Sequence, residues 1–570
     1  MRLLVPVAVA GLAFSAHADI LRVSIDASSG GDGSSWGRAF DSLSDALAAA
    51  RPGDELWVAQ GVYKPDTPGG RDATFTVPQG VQLYGGFRRG GGETSRNQRD
   101  FENNVTELSG SGVSYTVVTI AGTNTVIDGF LITDGLADGS GGAARSRGAG
   151  VFARDVAPII RNSTFTGHES SSDGAAISLF GNSTDPAHIE GCAISQSVGS
   201  FAVATDFPLV MTDSEISSNQ SAALWLEGTG GYFITGTRIR DNDAPVDTVR
   251  VELTSQSSFT QIIDCTIERN TASQSGGIAY RGRGDHEIIS SRIRRNEQTV
   301  TVGSGGIYMV LDQAADSLAI ENTTIVGNIG ASTGGGIRKD SPAELNVINA
   351  TIVGNSVPGP TGAGANITSG ITRFRNTIVY DNIFTGPGGS ERASILVAQG
   401  DVVNTEYSCI QFLGSSPGLG TITFFRSIAA DPGLIDADGN DNIFGTADDN
   451  LRPAEGSFVI DRGNSLFVGP LVFSDIYGQP RFRDDTGTDD TGEPDGTGFV
   501  VDIGAAEFQG TTPGEDCPAD TNGDGLVTPQ DFTSWVLAYN TQAPACDQNG
   551  DGLCTPQDFT AWVANFNAGC

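Results

Sequence analysis

The sequence predicts an all-β fold, a right-handed single-stranded parallel β-helix, followed by a small α-helical C-terminal domain. Three observations carry this. A short apolar phrase returns with its centre at Ile132, Phe165, Ile194, Ile216, Ile239, Ile267, Ile293, Ile325, Ile352 and Ile378, at spacings of 22 to 33 residues, the range of a solenoid. Each phrase is short, β-branched and alternating, as in CTIERN, SRIRRN, TTIVGN and ATIVGN, the pattern of a strand. The loop DTNGDGLVTPQDF at 520–532 is repeated as DQNGDGLCTPQDF at 547–559, and each copy leads into an amphipathic helix.

The chain has 570 residues, enough for several domains or one long repetitive one. It opens with Arg2, an apolar run from Leu3 to Phe14, and Ser15-Ala16-His17-Ala18. A charged start, an apolar core and an A-x-A site read as a secretory signal peptide over residues 1–18. The mature protein is therefore expected to be secreted or attached to the cell surface. The apolar run is too short to span a bilayer and no later stretch reaches ~18 apolar residues, so no transmembrane segment is expected. Net charge is −35, with 77 glycines and two lysines, Lys64 and Lys339. Such acidity argues against nucleic acid as a partner, because phosphates require basic neutralisation. It is compatible with calcium, a hard cation that takes oxygen ligands.

Residues 19–105 read as an N-terminal cap and first coils. SLSDALAAARPGDELWVAQGVY (42–63) is a helix and then a strand: Leu43, Ala46, Leu47 and Ala50 form one face, and Pro52-Gly53-Asp54 ends the helix. Such a helix would plug the open end of the coil and shield its first strand edge. Residues 106–425 are the repeats. Three residues past the phrase centre, Asn stands at 219, 242, 270, 296, 328 and 355. That spacing stacks side-chain amides into a hydrogen-bonded ladder with a structural role. Two residues before the centre, Cys192 and Cys265 point inward, three coils apart. At ~4.8 Å per strand they are ~14 Å apart, beyond the ~7 Å Cα reach of a disulfide. Both are expected as free, buried thiols.

Residues 426–508 break the repeat. DPGLIDADGNDNIFGTADDNLRP (431–453) leads to FVIDRGN and VVDIGAAEF (500–508). Asp436, Asp438, Asn440, Asp448 and Asp449 gather oxygen there, either as a calcium site or as a solvated acidic loop. A linker, 509–516, precedes the module at 517–570. In its first loop Asp520, Asn522, Asp524, the Leu526 carbonyl, Thr528 and Asp531 fall at positions 1, 3, 5, 7, 9 and 12 of a calcium loop, with Gly525 at the turn. Asp547, Asn549, Asp551, Leu553, Thr555 and Asp558 repeat the pattern 27 residues on. Phe532, Trp535, Val536 and Tyr539, then Phe559, Trp562, Val563 and Phe566, mark one apolar stripe on each following helix. Four of the seven cysteines lie in the last 54 residues, which suggests disulfides in an exported module. Three pairings are open; the expected one is Cys517–Cys570, tying the two ends, with Cys546–Cys554.

The duplicated loop–helix unit has no helix before either loop and has Asp at position 12. It resembles a dockerin, and its Ala568-Gly569-Cys570 ending is like the GC-type variant. The resemblance implies attachment to a cohesin-like or other surface anchoring protein. Both loops carry Pro-Gln (Pro529-Gln530, Pro556-Gln557) where cellulosomal dockerins usually have small partner-reading residues. The segment 42–63 and FTVPQGVQLYGGF resemble the entry region of pectate-lyase-like β-helix proteins, the pectin lyase fold. Residues 431–508 look like a choice-of-anchor Q region. The β-helix resemblance implies polysaccharide as a partner, met by a lyase, a glycoside hydrolase or a non-catalytic adhesion surface. Lyases of this fold often use Arg or Lys as base with calcium as neutraliser, and its hydrolases use Asp pairs flanking the bond.

The candidate catalytic patch is YRGRGDHEIISSRIRRN (280–296), with Arg281, Arg283, Asp285, His286, Arg292, Arg294 and Arg295, flanked by Arg238, Arg240 and Arg269. Two readings stand. The arginines line a groove that attracts carboxylated chains, or they pair along columns of mixed sign: Arg240–Glu268–Arg294 and Asp241–Arg269–Arg295. His168, Glu169 and Asp173 form a weaker cluster. Three histidines remain after the signal peptide, which excludes a His-rich metal site, and no G-x-S-x-G, H-E-x-x-H or phosphate loop occurs.

Overall fold

The computed structural model describes residues 18–570 apart from 66, 301, 360–361, 387–393, 412–419, 484, 486, 497, 511–518, 520, 522–527, 542, 550–552 and 569–570. The chain divides into two compact units, Met1–Gln509 and Gly510–Cys570.

The first unit is built from three parallel sheets. Among the described residues, sheet A has fifteen strands from Ile20–Val23 to Thr421–Phe425, and sheet B thirteen from Gly61–Tyr63 to Cys409–Ile410. Sheet C has fourteen, from Phe75–Val77 to Ile395–Val397. One coil visits C, A and B in turn, as in Ser275–Gly282, Asp285–Ile289 and Arg292–Arg294. Each sheet is thus a stack of successive coils, a parallel β-helix. Sharp corners join the sheets, and those from A to B and from B to C take a residue in the left-handed conformation. Asp213 (φ 48°) and Asp264 (φ 53°) lie between A and B, Asp241 (φ 55°) between B and C, and Asp tolerates this region better than most residues.

The strands of sheet B give mostly one inward residue each, and the phrase centres stack as Ile132, Phe165, Ile194, Ile216, Ile239, Ile267, Ile293, Ile325 and Ile352, all buried. The next member is Val379, not Ile378: Ile352 pairs with Val379, and Ile378 turns to the outer face. NTIVYDN places two apolar residues side by side, and the polar ladder decides between them. Asn382, three residues past Val379, accepts the Asn355 amide (3.1 Å) and side chain (2.9 Å) and extends the ladder one step. From Asn219 to Asn382 each Asn donates to the next at 2.8–3.0 Å.

Upstream the same column holds Ser197 and His168. Asn219 accepts the Ser197 amide (2.9 Å) and donates to the Ile194 carbonyl (3.2 Å). His168 makes equivalent contacts with an imidazole: Nδ1 accepts the Gly135 amide (3.2 Å) and Nε2 stands 3.0 Å from the Ile132 carbonyl. His168 is therefore a wall element of the core, and its expected cluster with Glu169 does not form, since Glu169 points outward. Cys192 and Cys265 stand in a column of small polar residues, their amides donating to Ser214 and Ser291 hydroxyls (3.1 Å each). Both thiols are free and buried.

The helix Leu43–Ala49 starts at Ser42, whose hydroxyl accepts the Asp45 amide, and buries Leu43, Ala46 and Leu47 in the core. At the other end, the chain after residue 426 returns along the outer face of sheet B. Leu451, Val459 and Ile503 pack on Val326, Val353 and Ile378. Gly504 (φ 115°) donates its amide to the Asn376 carbonyl (2.8 Å); a Cβ there would come within 2.7 Å of Ile378. Arg481 is fully buried in this region. Its Nη2 donates to the Asp502 and Gly504 carbonyls (3.0 and 2.8 Å), and its guanidinium lies 3.3 Å from Glu507.

The second unit contains the helices Pro529–Thr541 and Pro556–Ala568, with Trp535 and Trp562 buried between their apolar stripes. Cys546 and Cys554 form a disulfide with Cα atoms 5.5 Å apart. Cys517 and Cys570 lie outside the described residues, as do residues 1–17.

Candidate functional site

The patch at 280–296 does not converge on one groove. Arg281 leaves sheet C, where it contacts the fully buried Asp247 (3.1 Å) and Gln274 (2.8 Å). Arg283, in the turn after that strand, holds the buried Asp316 (2.9 Å). Asp285 is exposed at the start of a sheet A strand and accepts the Ser317 hydroxyl (2.7 Å). His286, one residue on, alternates to the inside and is buried. Arg292 and Arg294 lie on the outer face of sheet B, a different face from Arg281. Arg292 donates to the Ile476 carbonyl. Arg294 donates to Glu268 (2.8 Å) and to the Thr446 carbonyl (2.8 Å). Arg269 holds Asp241 (2.8 Å) and Glu268 (3.1 Å), and Arg240 holds Glu215 (2.7 Å) and Asp241 (2.9 Å). The columns of mixed sign are ion-pair ladders, because stacked coils bring opposite charges one strand apart.

The open groove lies elsewhere, over the corner between sheets A and B in the coils before the C-terminal region closes the face. It encloses about 700 Å³. The outward residues of sheet B run Leu131, Thr164, Ala193, Glu215, Arg238 and Thr266, one per coil. Beside them the corner column presents Gly129, Asn162, Gly191, Asp213, Gly236 and Asp264. Six coils at ~4.8 Å give a run of ~24 Å. Gly236 (φ 58°) keeps the column open, since a Cβ there would come 2.6 Å from Asp213 Oδ1.

Three charged groups in this groove are uncommitted. Arg238 is exposed and makes no ion pair among the described residues, and neither the Asp213 nor the Asp264 carboxylate accepts a hydrogen bond there. One end is walled by the loop after the strand Gln82–Phe87, pinned by Arg99 donating to the buried Asp128 (2.6 Å) and carrying Phe101 and Glu102. At the other end, Leu471 and Phe473 (57% and 75% exposed) stand beside Asp264 and Arg292. The Asn322 side chain donates to the Ser474 carbonyl (2.9 Å) and fixes that loop. Of these residues the sequence reading singled out Arg238 and Arg292, and neither Asp213 nor Asp264. The signal was present three residues before each phrase centre, where Asp213 and Asp264 alternate with glycine.

In the acidic loop, carboxylates turn to their own backbone. Asp449 accepts the Gly445 and Thr446 amides (2.6 and 3.2 Å), and Asp448 the Thr446 hydroxyl (2.5 Å). Burial raises Asp449 to about 6. The Asp441 amide donates to Asp448 (3.3 Å); among the described residues no three His, Cys, Asp or Glu side chains stand in metal-holding geometry. In the second unit Asp531 and Asp558 are buried, and each closes back on its own loop. Asp558 accepts the Gln548, Asn549 and Thr555 amides (2.9, 3.2 and 2.7 Å), and Asp531 the Thr528 amide (2.8 Å). Asp520, Asn522, Asp524, Leu526 and Asp551 lie outside the described residues. The donors of both loops are all oxygens, a set that fits calcium.

Two family descriptions match: "Right handed beta helix region" over residues 203–384, and "Protein of unknown function (DUF1565)" over residues 28–281. A search of curated proteins gives no match. Similar solved structures include pectate lyase Pel9A, 15% identical, covering 86% of this chain and 96% of that one with a TM-score of 0.33. Another is the A-module of the Azotobacter vinelandii mannuronan C-5 epimerase AlgE6, 14% identical, with 68% and 93% covered and a TM-score of 0.28. A third is the catalytic unit of the GH87 alpha-1,3-glucanase from Streptomyces thermodiastaticus, 14% identical, with 68% and 66% covered and a TM-score of 0.32. The fold is a right-handed parallel β-helix with a small helical unit at its C-terminal side.

Proposed function

We propose that the chain is an exported β-helix protein that binds polysaccharide in the groove over sheet B, and that the C-terminal unit fastens it to a surface partner as a calcium-dependent dockerin-like module. The observation that carries the binding reading is the ~24 Å run in which Arg238, Asp213 and Asp264 stay uncommitted while nearly every neighbouring charge is paired. An extended polymer matches such a run, and its hydroxyls suit unpaired donors and acceptors. Asp547, Asn549, Asp551, Leu553, Thr555 and Asp558, with their counterparts in the first loop, would hold calcium. The bound ion neutralises loop carboxylates that otherwise repel one another.

A non-catalytic display or adhesion role is favoured over cleavage by one observation. Arg281, Arg283 and Arg294 are spent on ion pairs and His286 is inside the coil, so the sequence-based catalytic set offers binding neighbours rather than chemistry. The test is to incubate the full chain with a panel of polysaccharides, reading retention, reducing ends and unsaturated products. Retention without product supports display. Product formation would move the reading to a lyase or hydrolase, and no retention on any glycan would sink it.

A further inference from the structure

We infer that the groove takes an uncharged polysaccharide rather than a polyuronate. The inference rests on the reading of this groove as a polysaccharide site. Its charge content is the argument. Glu102, Asp213, Glu215 and Asp264 line it against a single Arg238. Glu215 is neutralised by Arg240 (2.7 Å), which leaves three carboxylates to one guanidinium. Beside Asp264, Arg292 donates to the neutral Ile476 carbonyl and keeps its charge, while Arg294 is paired with Glu268; counting Arg292, the described residues still leave three carboxylates to two guanidiniums. The whole chain, at −35, adds to the same sign.

A polyuronate carries a carboxylate on every sugar. Laid along the groove it would gain one contact at Arg238 and meet Asp213 and Asp264 on the coils to either side. Those two coils are ~9.6 Å apart, about one Debye length at ~0.1 M salt, so a chain segment spanning them feels both. A polyamine chain meets the opposite conflict at Arg238. A hydroxyl resolves both, because it donates to a carboxylate, which only accepts, and accepts from a guanidinium, which only donates. The alternation Asp213, Arg238, Asp264 along successive coils is thus matched by a chain whose polar groups are all both donor and acceptor. Phe101 at one wall and Phe473 at the other add apolar faces against which sugar rings can pack.

The test uses the full chain with EDTA at low salt, where unscreened charge has its largest effect. Retention is compared between soluble glucans, mannans, galactans and xylans and the polyanions polygalacturonate, alginate and dextran sulfate. At least one uncharged polymer should bind tenfold or more tighter than every polyanion. The D213N/D264N double variant, checked for an unchanged melting temperature, should gain at least tenfold in polygalacturonate retention. Wild-type binding to a polyanion as tight as to any uncharged polymer would overturn the inference and leave the groove a polysaccharide site. So would a double variant with no gain. Failure to retain any polymer would overturn the underlying reading instead.

Discussion

Tyr280 and His286 face each other inside the coil with ring centroids 4.8 Å apart, and the Tyr280 hydroxyl makes no hydrogen bond among the described residues. Thr260 pairs with His286 from one neighbouring coil and Leu318 from the other. Burial pulls His286 down to about 4, and His168 likewise. The unfolded chain takes up a proton near pH ~6.5 while the folded chain resists until about 4. Stability is therefore full above pH ~6.5 and falls as pH drops toward 4, by roughly 3 kcal/mol per buried histidine. His286→Leu should flatten this decline in a series of melting curves from pH 7 to 4.5. Parallel declines for variant and wild type would show that His286 does not set it.

The ladder position of His168 predicts an asymmetry between two substitutions. His168→Asn can accept the Gly135 amide and donate to the Ile132 carbonyl, as Asn219 does with its own neighbours two positions along the column. It should melt within a few degrees of wild type. His168→Ala leaves a buried amide and carbonyl unpaired, at a cost of about 1–3 kcal/mol. Chemical denaturation measures both, and equal losses would contradict the ladder role.

Arg481→Ala should loosen the C-terminal region. It strands Glu507 in a buried site and frees the Asp502 and Gly504 carbonyls. Breaking one half of a buried pair costs roughly 3–5 kcal/mol. Limited proteolysis should then cut between residues 426 and 508 before cutting the coils. Protection equal to wild type would argue against this anchoring.

Calcium removal should affect the second unit. Titration of the full chain should reveal two calcium sites, and EGTA should lower the melting temperature of the unit at Gly510–Cys570. The Cys546–Cys554 bridge should persist under chelation. An identical melting profile with and without EGTA would exclude a structural role for the ion.

The coil was legible because its signal is periodic. One inward isoleucine per phrase and one Asn three residues on state the register coil by coil, and the ladder even corrects Ile378 to Val379. The capping helix was legible from Ser42 and its apolar face. The groove was not, because openness is a property of what the chain does ~200 residues later. Arg238 and Arg292 occupy the same place in their strands two coils apart; only the return of Ile476 and Tyr477 over one of them separates an uncommitted guanidinium from a committed one. His286 was misplaced for a simpler reason. In DHEII the side alternates at each residue, and a polar residue on the inward side gives no apolar signal to mark it.

The two walls of the groove are fastened to different coils, Arg99 to Asp128 and Ser474 to Asn322. Neither depends on how many coils lie between. Adding a coil after the strand Glu215–Ser217 would move the walls apart by one step of ~4.8 Å and leave each wall's contacts intact. Repeat units that touch only their neighbours tolerate such insertions. The length of the groove is therefore a counted quantity, open to change by duplication of a single repeat without redesign of either end.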